Sequence, residues 1–420
     1  MKRLLFSLLI AHCSFCLVEA QSLTLEVANP SAEYREQIVE IPLDSVVQRL
    51  GLTTTDSLRV RDAAGLDVPF QLTFDGKLLL DAAVRKGGVA RFTLSKGSHP
   101  QFPMVCHGRL HPERKDDFAW ENDRGAYRVY GPALERSKER SFGIDVWTKN
   151  TPELVVDDRY YIEDVVTIPR IDSIYRNNWH VRDSLYRLIS YHYDHGRGLD
   201  PYRVGASLGC GAPALMVGDS LVMPYCFERY EVLDEGPLRF TVRLEQSPRM
   251  VCGVRVVEHR VITLDKGSNF CRMEVSYEGV SSLSSQSSPS SQTSLSSQTS
   301  PSSQTSQSSL SLCSGVVLQP EDRESYVLGP NYVSYTDPTD QPKVHQAPLY
   351  VAVLFPNGKV TTRRQDNHVL GIVDGWNMKP YTYYFGSAWA KYDVRTADEW
   401  QSRIQWFLRS VQQPLQWRWL

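Results

Sequence analysis

Between Leu23 and Lys96 apolar and polar residues alternate in short runs: LTLEVAN, QIVEIPL, SLRVRD, VPFQLTF, KLLLDAAV and VARFTLS. Polar or Gly/Pro-containing breaks separate them. In a strand successive side chains point to opposite faces, so these runs predict a small antiparallel β-sandwich over residues 21–98. Longer alternating runs follow later in the chain: SLVMPYCFERYEVL, LRFTVRLEQS, RVVEHRVITLD, FCRMEVSYEG, APLYVAVLFP and YTYYFGSAWAKYD. Turns such as Asp234-Glu235-Gly236-Pro237 and Asp265-Lys266-Gly267 punctuate them, which predicts a large β-sandwich over 99–420. Residues 141–190 mix aromatics with many charges and fit neither period. The chain closes on an expected helix. Thr396 with Glu399 makes a capping box, and Trp400, Ile404, Phe407, Leu408 and Val411 recur at helical spacing, a stripe that belongs to the core.

Ser281 to Ser311 departs from this pattern. Four consecutive hexads, SSQSSP, SSQTSL, SSQTSP and SSQTSQ, occupy 284–307. Such a segment has nothing to bury and is expected to be disordered. Because it interrupts strand-like runs ending at Tyr277 and resuming near Leu312, it reads as an expanded hairpin loop.

Composition narrows the partners. A formal net charge of −2 over 420 residues offers no electrostatic reason to bind nucleic acid. The 21 Tyr and 9 Trp suit a carbohydrate partner, whose ring faces stack on aromatics, and they equally suit a sandwich core. Residues 1–20 combine basic Lys2 and Arg3, an apolar run from Leu4 and a small residue at Ala20, as a secretory signal peptide does. The expected product starts at Gln21, is periplasmic or extracellular, and has no later apolar run long enough to span a bilayer. Of the eight cysteines, six lie beyond the leader at scattered spacings that fit buried thiols better than a zinc ribbon.

Two stretches carry candidate chemistry. The first is Trp120-Glu121-Asn122-Asp123-Arg124, at the start of an alternating run; Glu121 and Asp123, two apart, share a face if the strand reaches back through them. The second is Ser190 to Pro213, SYHYDHGRGLDPYRVGASLGCGAP, with two histidines, two aspartates, two arginines and five glycines. It is too polar for core and too glycine-rich for a helix, so it reads as a site-bearing loop. His192 and His195 are candidates for proton transfer, Asp194 and Asp200 for orienting them, and Arg197 and Arg203 for gripping an anion. His259, His368 and Lys379 are further cleft candidates. A metal held by His192, Asp194 and His195 would need a tight turn at their close spacing, and no metal or other cofactor is expected.

These same residues resemble a known family. The 120–124 stretch, the H-x-D-x-x-G-x-G-x-D run from His192 to Asp200, the Val204–Gly209 continuation and the Gly371–Lys391 tail look like exported proteins that share a domain of unknown function. Such proteins are often encoded beside enzymes that degrade uronic-acid polysaccharides. The resemblance implies a galactose-mutarotase-like β-supersandwich and carries no catalytic assignment.

The residue types then rank the chemistries. A β-elimination lyase needs a cation for the uronate carboxylate, a base for the C5 proton and an acid for the departing oxygen. Arg197 or Arg203, His192 or His195, and Tyr191, Tyr193 or Tyr202 offer those roles, with Trp120, Asp123 and Arg124 as binding candidates. A mutarotase would need only a histidine with Glu121, and a glycoside hydrolase a carboxylate pair such as Glu121 with Asp194 or Asp200. A non-catalytic sugar binder would need only the aromatics. The density of His, Tyr and Arg beside the carboxylates favours the lyase.

Overall fold

The structure is a computed structural model, and it describes residues 22–54, 58–285, 310–345 and 347–420. Residues 1–20, read as a leader, and the hexads of the Ser/Gln segment lie outside the described residues, apart from the first turn of that segment, Ser281–Ser285, which is helical.

Every run in the first hundred residues forms a strand. They build two sheets, one ordered 416–419, 22–28, 89–96, 58–62 and the other 35–42, 77–84, 70–72. Alternation supplies the core between them: Leu25, Val27, Val39, Ile41, Leu78, Leu80, Phe92 and Leu94 are all buried. The sandwich is completed from the far end of the chain, because Gln416–Trp419 pairs antiparallel with Ser22–Ala28. A short helix, Leu43–Leu50, closes one side with Val46 and Leu50 inward.

The larger core lies between a nine-stranded and a five-stranded sheet, both antiparallel. The C-terminal helix, Ala397–Gln412, packs on the outer face of the nine-stranded sheet through Trp400, Ile404 and Leu408. Thr396 caps it as expected, with Glu399 N–H donating to the Thr396 hydroxyl at 3.2 Å, while the Glu399 carboxylate reaches one residue further back than a capping box requires and accepts from Arg395 N–H at 2.6 Å.

The Ser/Gln segment is not a hairpin loop. Phe270–Glu278 lies in the nine-stranded sheet and Leu310–Val317 in the five-stranded one, so the segment crosses from one face of the sandwich to the other. Sequence proximity alone does not make two strands of a sandwich share a ladder.

A four-stranded sheet of His107–His111, Asp117–Glu121, Ala126–Val129 and Asp145–Trp147 continues the architecture. Residues 156–187, which fitted neither period, are helical, with a π-helical stretch at Tyr161–Thr167 between Val156–Tyr160 and Ile168–Tyr175, then Trp179–Arg187. This excursion delivers the chain to the glycine loop. The cysteines Cys106, Cys210, Cys226, Cys271 and Cys313 are buried free thiols and Cys252 is exposed. Among the described residues no helix is long and apolar enough to cross a membrane.

Candidate functional site

The 120–124 stretch is built into the protein rather than onto its surface. Trp120 is fully buried, and its indole N–H points at the Cys271 sulfur at 3.5 Å, so no ring face is left for a sugar. Glu121 is also buried. One of its oxygens takes the Lys149 ammonium at 2.6 Å, and the carboxylate accepts the backbone N–H groups of Val155 and Val156 at 2.8 and 2.7 Å. It therefore caps the Val156–Tyr160 helix and neutralises a lysine that has no exposed surface. Burial pulls the Lys149 ammonium below its ordinary pKa, against the pull of Glu121. Asn122 and Asp123 bind the 265–268 turn, through Asp265 and Ser268 carbonyls and the Gly267 N–H. Arg124, half-buried, pairs with Asp393 at 3.2 Å. The role expected for Glu121 as an acid or base is taken up by these structural partners, and that expected for Trp120 by packing.

A second buried network lies beneath the glycine loop. Arg128 donates from Nε to Asp145 at 2.7 Å and also reaches Asp200 at 2.9 Å and Asp117 at 3.5 Å. Burial pushes the Asp145 carboxyl up to about 7 and that of Asp117 up to about 6, against the attraction of the shared guanidinium. Asp200 is thus a buried anchor of the loop.

The loop is tied to this floor at several points. Tyr191 N–H donates to buried Glu163 at 2.7 Å, and its ring stacks on Trp147 with centroids 4.7 Å apart. Asp200 N–H returns to the Tyr191 carbonyl at 2.8 Å, closing the loop at its neck. Two glycines are required here by shape: Gly196 and Gly198 have φ of +91° and +98°, and a Cβ on Gly198 would fall 2.3 Å from the Thr148 carbonyl oxygen. Asp194 stabilises the turn by accepting their N–H groups at 2.9 and 3.3 Å.

His192 stands on this platform with 33% of its side chain exposed. Its Nδ1 lies 3.2 Å from the Asp200 carbonyl oxygen, the contact of an N–H donor, and 3.7 Å from the Asp200 carboxylate. That fixes the tautomer in which Nε2 carries the lone pair. No described residue hydrogen-bonds Nε2. In the same loop the Asp194 carboxylate is 3.4 Å from the Lys391 ammonium, and His345 meets the backbone of His192, its Nε2 3.2 Å from the His192 carbonyl oxygen. His345 is held from behind by Thr339 at 2.9 Å, and burial pulls its imidazole below the ordinary pKa.

The other expected residues sit as follows. His195 is exposed and Nε2 is 2.9 Å from the Ser190 carbonyl oxygen. Tyr193 is half-buried with the Arg187 guanidinium over its ring at 5.7 Å. Arg197 is exposed and pairs with Glu153 and Asp158 at 3.3 Å each. Arg203 pairs with Glu321. His368 is buried on the five-stranded sheet, its Nε2 accepting the Leu208 N–H at 3.1 Å, so it supports the end of the loop from below and cannot meet a ligand. His259 lies on the nine-stranded sheet beside Glu245 and Glu278, and Lys379 is exposed in a turn; neither contacts the loop. Among the described residues no three His, Cys, Asp or Glu side chains converge on a point where an ion could sit. His345 and Lys149 escaped the sequence reading. Each is a lone residue of its type in its stretch, made significant only by a partner far away in sequence.

Stacked antiparallel sheets, a flanking small sandwich and a helix on the outer face define a mainly β, supersandwich-type protein. Residues 27–416 match the family described as Domain of unknown function (DUF4861), and the chain belongs to that family. The Uncharacterized protein P7 of Formosa agariphila is 26% identical over 358 residues, which is 81% of this chain and 77% of that protein. In fold the chain is similar to an alpha-mannosidase from Enterococcus faecalis V583, with a TM-score of 0.50, 9% identity and 95% of this chain covered. It spans about half of that enzyme's length, 46%.

Proposed function

We propose that the protein is an exported carbohydrate-active enzyme that cleaves a uronic-acid-containing saccharide by β-elimination, with His192 as the base. The observation that carries the reading is the His192 geometry: Nδ1 anchored on Asp200 and Nε2 open, on a half-exposed ring. In the step, Nε2 takes the C5 proton, the freed electron pair forms the C4–C5 double bond, and the bond from C4 to the departing oxygen breaks. Tyr193 supplies the proton to that oxygen, while Arg197 and Lys391 offset the charge that develops on the uronate carboxylate. The fold shared with an alpha-mannosidase supports a saccharide as the partner, and the leader at residues 1–20 supports export.

Hydrolysis through Glu121 is disfavoured because both of its oxygens already serve Lys149 and the helix N-terminus. The test is incubation with a panel of uronic-acid oligosaccharides, following ultraviolet absorbance of the unsaturated product alongside chromatography of the saccharides. New absorbance with shortened products supports elimination. Shortened products without absorbance would mean hydrolysis, and binding with no turnover would retire the enzyme reading. Mass spectrometry of the N-terminus of secreted protein checks export, with a start at Gln21 expected.

A further inference from the structure

Two adjoining clefts, of about 480 Å³ and about 350 Å³, lie away from the glycine loop. They run between the Arg35–Pro42 strand of the small sandwich and the C-terminal helix, over the outer face of the nine-stranded sheet. Half-buried Tyr384 and Phe407 line both, with ring centroids 5.0 Å apart. Gln37 also lines both, and its amide oxygen has no hydrogen-bond partner among the described residues.

The charges in this groove are not evenly matched. Arg239 is held by Glu40 and Asp265, and Lys266 by Asp81. Arg272, opposite Tyr384 in the sheet register, donates only to the Thr263 hydroxyl at 3.4 Å and has no carboxylate within ion-pair distance among the described residues. Arg403 donates to the Asn269 side chain at 3.0 Å and stands 4.0 Å from Asp393, a carboxylate that Arg124 already takes at 3.2 Å. Half-buried Arg403 thus lines the larger cleft and half-buried Arg272 the smaller, each beside the shared aromatic rings and without a counter-ion of its own. A pyranose presents matching chemistry: an apolar ring face for the aromatics, hydroxyls for amides, and an acidic substituent for the guanidiniums.

We propose that this groove is a binding site for an anionic oligosaccharide, with acidic groups, carboxylate or sulfate, on Arg403 in the larger cleft and on Arg272 in the smaller, and a sugar ring against Tyr384 and Phe407 between them. It is a second site, distinct from the His192 loop. One turn links the two, since Lys391 reaches Asp194 of the loop and Asp393 reaches Arg124 at the groove.

The test is calorimetric titration of the full chain with three oligosaccharides of equal length: an oligogalacturonate, a sulfated galactan fragment and a neutral cello-oligosaccharide. At least one anionic ligand is expected to bind more tightly than the neutral one, and the arm that does so names the acidic group. Arg272→Gln and Arg403→Gln should each weaken that binding roughly 10-fold, with circular dichroism confirming the fold. Should Arg403→Gln unfold, Arg272→Gln alone carries the test. Equal binding of neutral and anionic ligands, no binding of either anionic ligand, or an Arg272→Gln affinity equal to wild type would each overturn the proposal. Absence of turnover in the wild type would overturn the elimination reading and leave this titration as it stands.

Discussion

Two stretches with nearly the same residue types meet opposite fates. The 120–124 stretch and the 190–200 loop both combine carboxylates, an arginine and aromatics, yet Glu121 has every oxygen occupied while His192 has a ring nitrogen that no described residue touches. The difference lies in the element that carries them. Asp117–Glu121 is an inner strand flanked on both sides, so all five of its residues are buried and their polar atoms must find protein partners. The glycine loop is fastened at its neck by Tyr191 and Asp200 and leaves the residues between them half open. Residue type proposes a chemistry; the number of partners already engaged decides whether any capacity remains for a substrate.

The sharpest way to break the comparison is to remove a partner from the buried side. Glu121→Ala leaves Lys149 charged and buried beside an uncapped helix, and it should lower stability by about 3–5 kcal/mol in denaturant unfolding. A Glu121→Ala protein that unfolds like wild type would mean that the buried pair contributes nothing. Histidines sharpen the same contrast. Burial pulls His368 down to about 4, and its Nε2 accepts a backbone N–H, so the folded protein holds it neutral. Its folded pKa lies below the unfolded value near 6.5, so between those values the unfolded chain binds more protons. Stability should therefore fall as pH drops from about 6.5 toward 4, by up to about 3 kcal/mol, and His368→Gln should flatten that limb of the profile.

Smaller effects are expected on the open side. Arg197→Ala should weaken binding of a uronic-acid oligosaccharide roughly 10-fold with little loss of stability, because its present partners are exposed carboxylates. His259→Ala should change neither stability by more than about 0.5 kcal/mol nor turnover, since it lies on a strand away from the loop. A marked loss of turnover there would place the site on the nine-stranded sheet instead.

Much of the fold was legible because it rests on local alternation. Six early runs, most of the long strands and the capped C-terminal helix are where period and capping residues put them, while the run SLVMPYCFERYEVL splits into Ser220–Val222 in the five-stranded sheet and Phe227–Asp234 in the nine-stranded one. What escaped depends on distant pairing. The last strand completes the first sheet, and the Ser/Gln segment bridges two sheets, neither of which alternation can express. The helical excursion over 156–187 hides its period behind a π-helical stretch. In the site, the loop was legible from its glycines and histidines. The burial of Glu121 was not, because it depends on Lys149 and on a helix start at Val155 and Val156. His345 reaches His192 only through a short helix, Pro342–His345, whose histidine stands alone in its stretch.

The most direct test of the central claim is turnover of His192→Ala on the oligosaccharide that the panel identifies, measured with and without added imidazole. The account predicts a loss of roughly 10²-fold to 10⁴-fold, an unchanged unfolding midpoint, and partial recovery as imidazole supplies the missing base. Turnover within a few fold of wild type in a folded His192→Ala protein would contradict it.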